Sequence, residues 1–121
     1  MITITPTIKG RYQLIRLTGR LDSTTSPQLE DYLATNDFSE FKGVIFEMTE
    51  LDYISSAGLR VLLNASKTFK KGNIHFSLCG MQAHILEIFE ISGFDTFLNI
   101  YPTLTEVLEG CNYSDGSTKL A

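Results

Sequence analysis

Strand-like and helix-like segments alternate along this chain, and that order limits which sheets it can form. A short, mostly apolar segment typical of a strand covered on both faces lies at residues 44–48, and apolar residues alternate with others over residues 74–79, which also predicts a strand. A segment with apolar residues at helical spacing lies between them, so these strands cannot form a hairpin. Strands joined through helices pair in parallel by right-handed crossovers. The sequence therefore predicts an α/β domain, with residues 44–48 at the centre of the sheet.

The first two strand segments differ from the later ones, because no helical segment lies between them. Isoleucine and threonine alternate over residues 2–8, and Lys9-Gly10 predicts a tight turn into a second strand over 12–18. Pro6 favours an edge position for the first strand, since proline has no N–H to donate to a neighbour. An antiparallel N-terminal hairpin follows.

The complete prediction is a single open, mostly parallel five-stranded sheet with about four helices. The fifth strand is predicted at 97–100. The predicted helices cover about 24–35, 56–70, 85–92 and 103–108, the third ending at Gly93 in a left-handed conformation. Residues 1–110 are expected to form one domain, and residues 111–121 a flexible C-terminal tail.

Composition and charge argue against several partners and sites. Ten basic and fourteen acidic residues give a net charge of −4, which does not favour nucleic acid or a basic membrane-binding face. No apolar segment approaches the roughly 20 residues of a membrane span, and the first residues lack the pattern of a secretion signal, so a cytoplasmic protein is expected. Cys79 and Cys111 lack a C-x-x-C partner, which favours two free thiols over a zinc site or redox pair.

No residue set predicts an enzyme. The sequence contains no G-x-S-x-G turn and neither of the two common glycine-rich phosphate-binding motifs. His75 is expected on a strand face and His84 on a helix surface, without a nucleophile and an orienting acid beside them. We therefore predict no catalytic, cofactor-binding or metal-binding residues.

The most informative segment is the start of the second predicted helix. Ser55 is expected to act as its N-cap, with the side-chain oxygen accepting a backbone N–H. Capping needs only one serine, and Ala57-Gly58 leaves the first turn with little side-chain bulk. The hydroxyl of Ser56 is therefore predicted to be accessible to a large partner.

Three segments resemble the STAS domain (sulphate transporter and anti-sigma factor antagonist), and within it the stand-alone bacterial anti-sigma factor antagonists. Leu17–Asp22 resembles the family's strand ending in G-x-L-D, Leu51–Leu62 its phosphorylation loop and following helix, and Ile88–Phe94 its third helix and glycine stop. The resemblance covers roughly residues 2–109. It implies the STAS-like version of the predicted α/β fold.

The resemblance also implies a partner switch. In the family, the unmodified antagonist binds an anti-sigma factor that is also a serine kinase of the GHKL type. Phosphorylation of one serine breaks that complex, and a PP2C-type phosphatase restores it. The phosphorylated serine lies two residues before the motif glycine, which makes Ser56 the implied phosphoacceptor. The residues implied to form the partner-binding loop are Asp22, Tyr53, Ser55, Ala57 and Gly58.

One position departs from the best-known antagonists, which carry Asp where this chain has Ser55; other family members have Ser there. The alternative function is that of a STAS adaptor subunit in a transporter complex, for which Ser56 would need no phosphorylation. A monomer is expected for the free protein, because the sequence shows no obvious apolar surface patch.

Overall fold

The structure is a computed structural model that describes the backbone of residues 1–115 and the side chains of residues 1–109. Its strands are β1 (Ile2–Lys9), β2 (Tyr12–Leu21), β3 (Gly43–Glu47), β4 (Leu51–Ile54), β5 (His75–Cys79) and β6 (Asn99–Tyr101). Its helices are α1 (Ser26–Thr35), α2 (Ser56–Lys71), α3 (Ala83–Ser92) and α4 (Leu104–Asp115), with a short 3₁₀ helix at Phe94–Thr96.

The sheet has the expected architecture. Its strands follow the order β1, β2, β3, β5, β6, and all pairs are parallel except the β1–β2 hairpin. The edge position of β1 and the central position of β3 are both confirmed. Gly93 ends α3 with a φ of 80°, in the left-handed region predicted for it.

The sheet has six strands rather than the predicted five, because residues 51–54 form β4 instead of a loop. The reason lies in the length of β2, which has ten residues while β3 has five. Residues 12–16 of β2 pair with β3, and residues 19–21 pair in parallel with β4 on the same side. The additional strand thus gives a partner to the carboxyl end of β2.

Helices cover both faces of the sheet. The larger core lies under α1, α2 and α3, where the fully buried Phe46 and Leu62 meet Phe89. The smaller core lies on the opposite face under α4, where Val107 packs with Ile45 and Cys79. Since both faces are covered, β5 is buried at four consecutive positions rather than at alternate ones.

Several predicted boundaries shift in the structure. Helix α1 begins at Ser26, and β6 begins two residues later than predicted because the 3₁₀ helix precedes it. Helix α4 extends to Asp115, beyond the predicted end at residue 108. Residues 116–121 of the predicted tail and the side chain of Cys111 lie outside the described part, so the tail and that free thiol stay predictions.

Candidate functional site

Ser55 begins α2 as its N-cap, as the sequence predicts. Its backbone is extended, and its Oγ accepts a hydrogen bond from the N–H of Gly58 at 3.3 Å. The Ser55 N–H donates to the carbonyl oxygen of Leu21 at 2.9 Å, which joins this cap to the end of β2. The side chain of Ser55 is therefore engaged in holding the start of the helix.

Ser56 is the first residue of α2, and it is exposed. The first N–H groups of a helix have no intrahelical partners and carry the positive end of the helix dipole. The first turn of α2 contains no acidic residue that would offset this potential. An anion attached to the Ser56 oxygen would therefore lie in a favourable electrostatic environment.

Gly58 allows α2 to start directly against the end of β2. A Cβ atom at this position would lie 2.8 Å from the carbonyl oxygen of Leu21 and 2.9 Å from the Cγ1 atom of Ile54. Both distances are shorter than atoms of this kind tolerate, so only glycine fits without displacement. Gly58 is buried and serves packing, whereas the neighbouring Ala57 is half-buried at the surface.

Asp22 organises the turn between β2 and α1. Its Oδ1 accepts hydrogen bonds from the N–H groups of Thr24 at 2.9 Å and Thr25 at 3.0 Å. These bonds, chiefly the one from the Thr25 N–H, lower the pKa of the Asp22 carboxyl group. The family resemblance implied a place for Asp22 in the partner-binding loop. Asp22 binds the N–H groups of the turn before α1, while Thr25 occupies the N-cap position without a side-chain cap bond.

The pairing of β2 with β4 brings Arg20 opposite Tyr53. The Cζ atom of Arg20 lies 4.3 Å from the centroid of the Tyr53 ring, and its Nε lies 3.7 Å from Oδ2 of Asp22. Tyr53 keeps 38% of its surface exposed. The structure thus joins two of the predicted site residues through an arginine that sequence reasoning had missed.

A cleft of about 160 Å³ separates the start of α1 from the first turns of α2. Ala57 and Arg60 line it from α2, Ser26 and Glu30 from α1, and Ser23 from the turn before α1. Arg60 was also missed, although its spacing of four residues from Ser56 places both on one helix face. That spacing was the signal that could have found it.

The two histidines lie apart from this cleft. His75 is exposed at the start of β5. His84 lies on the surface of α3, where its Nε2 donates a hydrogen bond of 2.7 Å to the backbone oxygen of Asp52 in β4.

Within residues 1–109, no three His, Cys, Asp or Glu side chains are grouped so that they could hold a metal ion. No helix in the described part is long and apolar enough to cross a membrane.

Comparison with known sequences identifies both a domain family and a relative. The sequence pattern of the STAS domain matches residues 3–107. The candidate anti-sigma factor antagonist BtrV of Bordetella bronchiseptica is 41% identical over 86 residues, which cover 71% of this chain and 72% of BtrV.

Comparison with solved structures gives the same fold. An anti-sigma factor antagonist from Mycobacterium paratuberculosis superposes with a TM-score of 0.82 at 19% identity, covering 91% of this chain and 93% of the other. The phosphorylated form of SpoIIAA, a Bacillus cell fate determinant, superposes with a TM-score of 0.66 at 18% identity, covering 92% and 99%. At these identities the likeness concerns the fold.

Proposed function

This chain belongs to the STAS domain family, and from that premise we propose that it is an anti-sigma factor antagonist controlled by phosphorylation of Ser56. The unmodified protein binds an anti-sigma factor that is also a GHKL-type serine kinase, in the cytoplasm. It is a regulator rather than an enzyme, and it carries no cofactor. A PP2C-type phosphatase returns it to the binding form.

One observation carries this proposal: the two serines at the start of α2 differ in accessibility and bonding. Ser55 is half-buried and caps the helix, while Ser56 is exposed at the first helical position. Ser55 thus supplies the capping oxygen, and the hydroxyl of Ser56 stays available to a kinase. The surrounding Tyr53, Ala57 and Asp22 provide a surface on which the partner docks.

The chemical step is a phosphoryl transfer from ATP held by the kinase. The Ser56 oxygen attacks the γ-phosphorus and forms a new O–P bond, ADP departs with the electrons of the broken P–O bond, and a base of the kinase accepts the hydroxyl proton. The phosphoserine carries about −1.5 to −2 charges and three strong acceptor oxygens. At the first turn of α2 the helix dipole favours an anion by about 0.3–1 kcal/mol, so the domain stays folded.

The same phosphate opposes docking of the partner. In a packed interface it must lose its water, and a buried charge without a partner costs several kcal/mol. A cost of about 4 kcal/mol lowers the affinity about a thousandfold. Phosphorylation therefore changes the binding surface and leaves the fold intact.

Binding of three variants to the GHKL-type kinase partner tests the switch. Ser56→Ala is expected to bind as the unmodified protein does, while Ser56→Glu is expected to bind at least about tenfold more weakly because it places a charge in the interface. Thr68→Glu is the matched control, since it adds the same charge at an exposed position about three turns further along α2. Equal binding by all three would refute the switch and favour the transporter adaptor.

A phosphorylation assay tests the acceptor itself. The kinase and ATP are expected to add one phosphate to the unmodified protein and to Ser55→Ala, and none to Ser56→Ala, as measured by intact mass. Phosphate on Ser56→Ala would show that another residue is the acceptor.

A further inference from the structure

Arg60 is the cationic side chain placed one helical turn after Ser56. Residues four apart on a helix lie on the same face, with their Cβ atoms about 5–6 Å apart. Both residues are exposed, and both are on α2. A guanidinium group on a long side chain can therefore reach a group attached to the Ser56 oxygen.

No carboxylate holds Arg60 in another position. The ion pairs among the described side chains join Arg16 to Glu47 and Arg20 to Asp22. Glu30 lines the same 160 Å³ cleft as Arg60, yet its carboxylate does not lie within 4.0 Å of the Arg60 guanidinium group. Arg60 thus remains available for an anion.

The cleft beside Arg60 contains a second group without a partner. Ser26 lines this cleft, is 3% exposed, and its buried Oγ makes no hydrogen bond in the described structure. A buried hydroxyl without a partner is costly, but this oxygen is covered by other atoms and is not open to a group in the cleft. The group from this cleft that can reach a phosphate on Ser56 is therefore the exposed guanidinium group of Arg60.

We propose that Arg60 forms an intramolecular ion pair with the phosphate of phosphorylated Ser56 on the exposed face of α2. The inference rests on the proposed phosphorylation and assigns its electrostatic partner. Arginine is suited to this role because its guanidinium group matches phosphate oxygens in a two-bond arrangement. The neighbouring Arg20 is less suited, since Asp22 and the Tyr53 ring already hold it.

The pairing would strengthen the switch in a specific way. Before phosphorylation, the exposed Arg60 adds a positive charge to the docking surface. Afterwards that charge is engaged within the molecule, and the phosphate of about −1.5 to −2 charges leaves a net negative surface. A partner that favours the positive surface then loses an attraction and meets a repulsion.

Phosphoserine installed at position 56 by genetic encoding tests this without any partner. The second pKa of the phosphate is measured by ³¹P NMR in the full chain, once with Arg60 present and once in the Arg60→Gln variant. Because Arg60 favours the dianion, its loss is expected to raise that pKa by about 0.2–0.7. Arg60→Lys, which retains the charge, is expected to restore part of the difference. Lys67→Gln is the matched control, because it removes an exposed positive charge about two turns further along α2.

If the phosphoserine protein with Arg60 and its Arg60→Gln variant have the same phosphate pKa, and circular dichroism shows that both are folded, the inference is overturned. An equal effect of Lys67→Gln would also overturn it, since a general charge effect would then suffice. A failure of the Arg60 pairing can be distinguished from a failure of the proposed function. If the phosphoserine protein still binds the kinase as the unmodified protein does, the switch fails even where the Arg60 pairing is found.

Discussion

Ser55 and Ser56 are neighbours in sequence, yet only Ser55 is bound into the start of α2. Its oxygen satisfies the N–H of Gly58, and its own N–H is bonded to the end of β2. Ser56 is exposed, and its side chain forms part of the protein surface. Stability and regulation therefore separate onto two adjacent residues, which can be changed one at a time.

Ser55→Ala is expected to lower the free energy of unfolding by about 1 kcal/mol, because the Gly58 N–H loses its side-chain acceptor. A loss of that size corresponds to a Tm about 3–6 °C lower in a domain of this length. Ser56→Ala is the matched control and is expected to change the stability by less than about 0.5 kcal/mol. Equal losses in the two variants, measured by thermal and urea unfolding, would contradict the assignment of Ser55 as the cap.

Asp22 gives the protein a contribution to stability that depends on pH. Hydrogen bonds, chiefly from the Thr25 N–H, lower its pKa in the folded protein below the ordinary value of 3.8. The unfolded chain therefore binds the proton first as the pH falls. The stabilisation is complete above pH 3.8 and is lost as the pH falls through the pKa of the folded protein.

Asp22→Asn removes this titration and retains an oxygen that can accept the hydrogen bonds of the turn. The unmodified protein is expected to be the more stable of the two at neutral pH, and the difference is expected to narrow below pH 3.8. Urea unfolding of both proteins across the acid range measures the difference directly, since all other groups titrate in both. A difference that does not change with pH would count against Asp22 as its source.

Strand β4 shows where prediction from sequence stops. Residues 51–54 are buried at both ends and exposed in the middle, so they lack the alternation by which strands are recognised. The strand forms because β2 extends beyond β3 and needs a further partner, which is a property of the whole sheet. The contact of Arg20 with Tyr53 depends on this pairing and was missed with it.

Local features of the same region could be predicted. The cap at Ser55 and the exposure of Ser56 follow from rules for the start of a helix. The cleft beside Arg60 could not, because it requires the relative placement of α1 and α2. Sequence therefore located the candidate site, and the structure was needed to find its charged neighbours.

Gly58→Ala tests the packing of α2 against β2. The added methyl group would meet the carbonyl oxygen of Leu21 at 2.8 Å, a backbone atom that cannot turn away. Forcing α2 outward is expected to cost about 1–3 kcal/mol, although alanine favours helices more than glycine does. Gly72→Ala at the other end of α2 is the control, because its nearest contact is an ordinary 3.7 Å. Chemical unfolding of both variants gives the comparison, and a Gly58→Ala protein as stable as Gly72→Ala would contradict the close approach.

The domain as a whole depends on covering both faces of its sheet. Three helices cover one face, and on the other α4 buries Val107 against Ile45 and Cys79. Ile74, Phe76 and Leu78 alternate with the other residues of 74–79 in the sequence. The structure buries Ser77 and Cys79 as well as Phe76 and Leu78. This burial of Cys79 provides a chemical probe of how firmly α4 is held.

Cys79 is expected to react with thiol reagents only when α4 opens. Burial and the neighbouring Glu47 raise the pKa of its thiol to about 12, so the reactive thiolate is scarce at neutral pH while Cys79 stays buried. With Cys111→Ser in place to leave one thiol, Val107→Ala is expected to weaken the packing of α4 by about 1–3 kcal/mol and to speed labelling roughly 5- to 150-fold. Thr105→Ala, an exposed change on the same helix, controls for effects on the helix itself and is expected to label at the original rate. Rapid labelling before any substitution, or equal acceleration by both variants, would mean that α4 does not protect this face of the sheet.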